Sequence, residues 1–353
     1  MNNNKKVIVG MSGGVDSSVA AYLLKQQGYE VIGVTMDMGT GATQVIEDAK
    51  AVAHVLDIPH YVVDFSKEFK KEVMEYFVGE YLQGRTPNPC NICNRHIKWE
   101  ALLRWAKEHG AGLIATGHYA RIRLLENGRY AVTNSATAQK DQTYALCNLT
   151  QEQLAHTIMP VGEFTKDEIR QMAIKAKLPV AHKADSQDIC FIPDGDYGTF
   201  VADFCENEAG IGANLPGRGN YVDKEGKILG EHQGITNYTI GQRKGLNLAM
   251  GHPVFVTAIR PETNEVVIGE HEDLFTTTLY AKNVNFMGVA DFEDGEEFLG
   301  KIRYAHKGDK CRVYHVDDHI KVVFEQPVRA VTPGQFVVLY REEYVALGGT
   351  IMG

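Results

Sequence analysis

The sequence predicts an α/β fold: an N-terminal doubly wound parallel sheet, then a small β-rich central domain and a C-terminal antiparallel β-barrel. Three observations carry this. Apolar runs alternate with amphipathic stretches through the first half, the order that builds a parallel sheet covered by helices. A glycine-rich turn, Met11–Ser18, lies between the first apolar run, Val7–Val9, and the first Ala/Leu-rich stretch. From about Phe200 helical periodicity fades, and short β-rich runs separated by Gly and Pro replace it. The expected divisions are residues 1–198, 199–268 and 269–353.

The elements follow in order. Val7–Val9 reads as a strand, Val15–Gln27 as a helix, Val31–Met36 as a strand, Gln44–Leu56 as a helix and His60–Val63 as a strand. Ser66–Leu82 reads as a helix capped by Ser66. Gly84–Cys93 holds two prolines in three residues and is expected as an irregular loop. Asn94–His109 is the next helix, ended by Gly110, and Leu113–Thr116 a buried strand. Thr165 and Glu168 form a capping box. Later strands are expected at Val254–Ile259, Glu265–Ile268, Lys301–Tyr304, Cys311–His315, Ile320–Phe324 and Phe336–Tyr340. Turns are expected at Asp223–Gly226 and Pro333-Gly334. Parallel sheets bind ligands beyond the carboxyl ends of their strands. The Met11–Ser18 turn, Met36 and Gly117-His118 all fall there.

At 353 residues the chain suits two or three domains, and 44% hydrophobic with 23% charged residues is ordinary for a globular protein. No apolar run approaches a membrane span. The first strand begins almost at the N-terminus, leaving no room for a signal peptide, so a cytoplasmic location is expected. Six cysteines there are reduced thiols, suited to chemistry or metal binding. Cys147, Cys205 and Cys311 read as packing residues. The net charge of −9 argues against general nucleic-acid affinity. Two segments nonetheless concentrate cations: Arg85, Arg95, Lys98, Arg104 and Lys107, and then Lys301, Arg303, Lys307, Lys310 and Arg312. Such faces are either merely solvated or bind phosphates.

The glycine turn reads Met-Ser-Gly-Gly-Val-Asp-Ser-Ser. It exposes backbone amides at a helix start, which favours phosphate. Gly13 and Gly14 lack Cβ and allow close approach. Asp16 would repel a phosphate unless Mg²⁺ sits between them. No Lys follows Gly14, so this is not the Walker loop. It matches the pyrophosphatase-type loop, whose enzymes split ATP between the α and β phosphates and adenylate a substrate.

Cys90 and Cys93 form Cys-x-x-Cys, and Cys190 lies in Asp185-Ser-Gln-Asp-Ile-Cys-Phe-Ile-Pro193. Three readings compete: a zinc site, which needs a second Cys/His pair at short spacing and has only His96 as a poor extra ligand, a redox pair, and a persulfide-carrying pair. Spacing alone does not choose.

Eight motifs occur in order: Met11–Ser18, Thr86-Pro-Asn-Pro, Cys93-Asn94, Ala115–Arg121, Lys140-Asp-Gln142, Asp185–Pro193, Tyr238–Gly245 and Thr332-Pro-Gly-Gln335. Together they resemble the bacterial tRNA-specific 2-thiouridylases over nearly the whole chain. The resemblance implies an adenine nucleotide alpha hydrolase-like catalytic domain and ATP-dependent replacement of O2 of the tRNA wobble uridine by sulfur. It implies that Gly10, Met11, Ser12, Gly13, Gly14, Val15, Asp16, Ser17, Met36 and Gly117 bind ATP, with Mg²⁺ assisting pyrophosphate release. Cys190 would carry a persulfide from a sulfur-relay donor protein, and Cys93 would complete transfer, leaving a disulfide or releasing sulfide. Asn88, Pro89, Cys90, His118, Lys140, Asp141, Gln142, Arg303, Tyr304 and Gln335 would contact the anticodon stem-loop. Neither DNA nor a membrane is expected as a partner.

The chemistry is coherent. Oxygen at C2 leaves poorly until adenylated, a sulfur anion is a strong nucleophile, and the base must leave its stack. The chain departs from the family at Cys90, where an Asp with a general-base role is commoner, and at the short Met38–Thr43 segment without cysteines. Cys90, Cys93 and Cys190 could therefore hold a 4Fe–4S cluster with one open iron, as in related thiolation enzymes. An amidoligase using the same loop is the rival enzyme reading. A tRNA-binding module that merely holds nucleotide is the non-catalytic one.

Overall fold

A computed structural model describes residues 5–137, 140–185, 189–207 and 215–353. The N-terminal sheet is parallel, with strand β1 (Lys6–Gly10) at its centre. β1 pairs with β2 (Glu30–Asp37) on one side and β4 (Leu113–Ala115) on the other. β3 (His60–Asp64) flanks β2, and Thr157–Ile158 flanks β4. Chain direction across the sheet therefore reverses at β1/β4, which opens a crevice at their carboxyl ends. Successive side chains of β1 serve opposite faces. Val7 and Val9 join Val19, Leu24 and Val52, whereas Ile8 joins Trp99, Leu102 and Ile114. Helices α1 (Val15–Gln26) and α2 (Thr43–Leu56) supply the first of these layers.

The helix after β3 starts at Ser66, but Ser66 does not cap it: Phe65 holds the cap position without a side-chain bond. The Ser66 amide donates instead to Asp64 Oδ1 at 2.8 Å, a charged acceptor better placed than the serine's own hydroxyl. This helix passes through a π-helical turn, Lys70–Met74, before Glu75–Leu82. The expected irregular loop is shorter than Gly84–Cys93. Pro89–Cys93 is already helical, with the Asn88 side chain accepting from Asn91 N and Pro89 in the first turn. Proline there needs no amide partner and its fixed φ suits a helix start. The helix runs on through Asn94–Ala101 and Leu102–Glu108. The capping box at Thr165 forms as expected and opens the helix Lys166–Lys175. Tyr197–Asn207 spans the expected division at 198 and packs Val201 and Cys205 against Phe77 and Phe191.

The central β-rich unit is a four-stranded sheet of Gly219–Val222, Ile228–His232, Phe255–Arg260 and Glu265–Gly269. Tyr221, Ile235, Tyr238 and Val256 form its core. In the C-terminal unit, Phe275–Phe286 pairs with both His319–Arg329 and Tyr344–Ile351. That double pairing closes six antiparallel strands into a barrel. The strand expected at Lys301–Tyr304 is displaced: Glu296–Lys301 is the strand, and Arg303 and Tyr304 lie in the turn beyond it. A hairpin from the N-terminal half, Arg121–Leu124 with Tyr130–Thr133, adds to the outside of this sheet through Tyr344 and Thr133. Cys147 and Cys311 are buried, as is Cys205.

Candidate functional site

The nucleotide loop begins where β1 ends. Met11 N donates to Val34 O at 2.8 Å, which seats the loop on β2. Ser12 N donates to Ser17 Oγ at 3.1 Å, and Ser18 Oγ donates to Gly14 O at 2.7 Å. The chain folds back on itself, and Gly14 starts α1 with no side-chain cap. Open amides at such a start suit an anion. Gly13 has φ +59°, and a Cβ there would lie 2.5 Å from Val45 O. Gly117, at the end of β4, approaches the same helix start: its Cβ would lie 2.5 Å from Ser17 N. Met36 and Gly10 meet across the strand ends, Met36 Cε falling 3.5 Å from where a Gly10 Cβ would be. The expected nucleotide residues are thus gathered at one crevice.

Around Asp16 the structure adds partners that sequence reading did not assign. The Tyr119 hydroxyl donates to Asp16 Oδ1 at 2.8 Å, and Lys166 Nζ lies 2.7 and 2.9 Å from its two oxygens. Lys166 also reaches Asp185 at 2.7 Å, and Asp185 pairs with Lys140 at 3.0 Å. Burial alone would raise the Asp185 carboxyl; the Lys166 and Lys140 ammoniums outweigh it and hold it below the usual carboxylate range. One chain of charges therefore runs from the nucleotide loop to the head of the Cys190 motif. Ser186, Gln187 and Asp188 of that motif lie outside the described residues. Lys183 similarly bridges Asp48 at 2.6 Å and Gly13 O at 3.0 Å.

The sulfur residues occupy the same end of the sheet. Cys93 is buried on the Pro89–Cys93 helix, whereas Cys90 and Cys190 are exposed. Burial pushes the Cys93 thiol up to about 12, with the Lys98 ammonium opposing it. The Cys190 thiol is partly desolvated and also held above its ordinary value, again with Lys98 opposing. Burial would pull Lys98 down, but the sulfurs of Cys93, Cys90 and Cys190 outweigh it. Burial, then Lys98, push His118 down to about 3, so its imidazole is neutral. His118 Nδ1 lies 2.9 Å from Thr116 Oγ1, and its ring lies 5.2 Å from that of Trp99. Lys98 was legible only as one cation of a basic run.

Among the described residues no three His, Cys, Asp or Glu side chains come together as a metal-holding group. Cys90, Cys93 and Cys190 are accordingly not gathered as the three thiolate ligands an iron–sulfur cluster would need. ATP does fit, on the open amides of the loop. Asp16 lies beside that loop, its oxygens bonded to Tyr119 and Lys166.

Several residues expected at the tRNA are engaged within the protein. Gln142 Oε1 accepts from Tyr119 N at 2.7 Å. Asp141 accepts from Thr143 N and Oγ1 at 3.2 and 2.8 Å. Gln335 Nε2 donates to Thr86 O and Pro87 O at 2.8 and 3.2 Å. Arg303 Nη1 donates to Arg329 O at 2.8 Å, while Tyr304 is 53% exposed. Burial first, then Asp141, raises the Tyr304 hydroxyl, with Lys140 opposing, so the 140–142 turn and the barrel turn adjoin.

Three family matches tile the chain. Residues 5–194 match the family described as tRNA methyl transferase HUP domain, 212–270 the tRNA methyl transferase PRC-barrel domain, and 276–352 the aminomethyltransferase beta-barrel domain. The chain is 56% identical over 362 residues to the tRNA-specific 2-thiouridylase MnmA of Lachnoclostridium phytofermentans, covering 99% of both. The chain belongs to the tRNA-specific 2-thiouridylase family. The Clostridium perfringens and Clostridioides difficile relatives of the same name are 51% and 47% identical, over 98% and 99% of this chain and 98% of each of theirs. Among solved structures, the U34-tRNA thiolase NcsA of Methanococcus maripaludis, with its 4Fe–4S cluster, aligns at TM-score 0.35 and 23% identity, over 58% of this chain and 67% of its own. The NMN synthetase of Francisella tularensis aligns at 0.36 and 18%, over 51% and 66%. No helix among the described residues is long and apolar enough to cross a membrane.

Proposed function

We propose that this chain is an ATP-dependent tRNA-uridine 2-sulfurtransferase acting on the wobble uridine. The supporting observation is the meeting of the nucleotide loop, His118 and the Cys93/Cys190 pair at one end of one sheet. Methyl transfer, which the first family description names, has no use for that combination.

The uracil O2 attacks the α-phosphate of ATP; an O–P bond forms, the Pα–O–Pβ bridge breaks and pyrophosphate leaves. Asp16 would hold a magnesium ion, which when bound would supply positive charge to the departing pyrophosphate. The loop amides and the Ser12 and Ser17 hydroxyls orient the phosphates. Neutral His118 can take or give a hydrogen bond beside the base without adding charge. The terminal sulfur of a Cys190 persulfide attacks C2, and AMP leaves with the oxygen. The Cys93 thiolate then attacks Cys190 Sγ, leaving two electrons on the transferred sulfur and a Cys93–Cys190 disulfide. A thiol reductant restores the pair. Burial disfavours the Cys93 thiolate, and the Lys98 cation offsets part of that. Cations on the 140–142 turn and the barrel grip phosphates.

Asp16→Ala should abolish ATP-dependent formation of 2-thiouridine while leaving tRNA affinity nearly intact. Release of AMP with small carboxylic acids but not with tRNA would favour an amidoligase instead.

A further inference from the structure

We propose that Gln335 is a positioning residue for the sulfur chemistry: through it the C-terminal barrel sets the segment that launches the cysteine-bearing helix. The proposal rests on the sulfur-transfer reading for its consequence, though not for its geometry.

Thr86–Pro87 has no secondary structure of its own. Its polar main-chain groups must find partners elsewhere. Thr86 N donates to Pro333 O at 2.9 Å. Thr86 O and Pro87 O both accept from Gln335 Nε2, at 2.8 and 3.2 Å. Pro87 has no N–H to place. Every main-chain polar group of this dipeptide is therefore satisfied by the barrel, from a loop some 250 residues away in sequence. The central unit adds a side-chain bond, Thr86 Oγ1 to Thr239 Oγ1 at 3.1 Å. Gly334 presses on the same spot: with φ +89°, its Cβ would lie 3.0 Å from Thr86 O.

The helix immediately downstream gives this clamp its meaning. Asn88 caps it, Pro89 is its first residue, and Cys90 and Cys93 ride on it. Upstream, Arg85 is tied back to its own domain by Glu80, Nε to Oε2 at 2.8 Å. Thr86–Pro87 is thus the span between two anchors, its main chain held by the barrel and the Thr86 hydroxyl by Thr239 of the central unit. Two carbonyl acceptors determine which end of the Gln335 amide faces the loop. Its Oε1 accepts no bond among the described residues.

The positioning role and a tRNA-reading role fall on different measurements. Gln335→Met keeps length and neutrality but removes both donors. At saturating tRNA, its single-turnover thiolation rate should fall about tenfold, because small displacements of reacting groups are costly. Its tRNA dissociation constant should stay within about twofold. Thr239→Val attacks the span from the central unit and should move the rate in the same direction. Hydrogen exchange of the free protein, without tRNA or ATP, should quicken across residues 86–93 in Gln335→Met and stay unchanged across 336–351. Unchanged exchange at 86–93, or a weakened tRNA affinity with an unchanged saturating rate, would overturn the proposal. Absence of thiolation in the wild type as well would instead strike the proposed function, with exchange still deciding the clamp.

Discussion

Gly117→Ala is the smallest change that should separate fold from nucleotide binding. The added methyl carbon would lie 2.5 Å from Ser17 N, 2.7 Å from Asp16 C and 2.9 Å from Ser17 Cα. All three are main-chain atoms at the start of α1, so no side chain can swing aside. Restoring a contact of 3.0 Å requires a shift of at least about 0.5 Å between β4's end and the loop. Overpacking of this kind costs about 1–3 kcal/mol. Most of it should fall on the loop, because β4 is held on both sides by β1 and Thr157–Ile158. If nucleotide binding must reverse the displacement, affinity for Mg·ATP should weaken by roughly tenfold to a hundredfold. Calorimetric titration with Mg·ATP reads that loss, and the unfolding temperature of the free protein reads whatever falls on the fold. An alanine variant with unaltered ATP affinity and unaltered melting temperature would refute the claim that Gly117 is needed for close approach.

Two further outcomes bear on the cysteines and charges. Cys90→Ser changes an exposed side chain, so stability should move by less than about 0.5 kcal/mol; thiolation should persist, whereas joint loss of bound iron and activity would reinstate a cluster. Asp185 is ionised below the usual carboxylate range, so it contributes stability above its unfolded value near 3.8 and loses it as pH falls through the lower folded value. Asp185→Asn should accordingly flatten the acid side of the stability curve measured by urea unfolding between about pH 5 and pH 2; an unchanged slope would mean that Lys166 and Lys140 do not stabilise the carboxylate.

The parallel sheet was legible because β1 and β2 are buried on both faces, which makes their sequences apolar without alternation. Elements that depend on distant partners were not. The hairpin Arg121–Thr133 is short, half exposed and rich in arginine; it is a hairpin because the barrel edge at Tyr344 receives it. Phe275–Phe286 is twelve residues long, but three threonines and Asn283 with φ +53° break its apolar pattern. Tyr344–Ile351 contains Gly348-Gly349, which suggests a turn. Glycine is there because a Cβ on Gly348 would come within 2.9 Å of the Cys147 side chain. In each case packing between distant segments overrides local preference.

The site divides along the same line. The glycine loop and the cysteines stand in contiguous motifs and could be located in the sequence, but spacing left the chemistry of the cysteines open and only the family resemblance assigned it. The partners of Asp16 could not, since Tyr119 and Lys166 are 103 and 150 residues away. A motif also places a residue without saying which of its atoms are uncommitted. Asp141 and Gln142 stand beside the exposed Tyr304, yet Asp141 accepts two bonds from Thr143 and the Gln142 oxygen holds the Tyr119 amide. A polar atom already bonded inside the protein must give up that bond to take a new one, and the exchange gains little. Affinity for tRNA should therefore concentrate on groups with donors to spare. These are Lys140, which keeps N–H donors beyond its bond to Asp185, and Arg303, which uses one guanidinium nitrogen on Arg329 O. The residues bonded inward instead fix the surface from which those cations project.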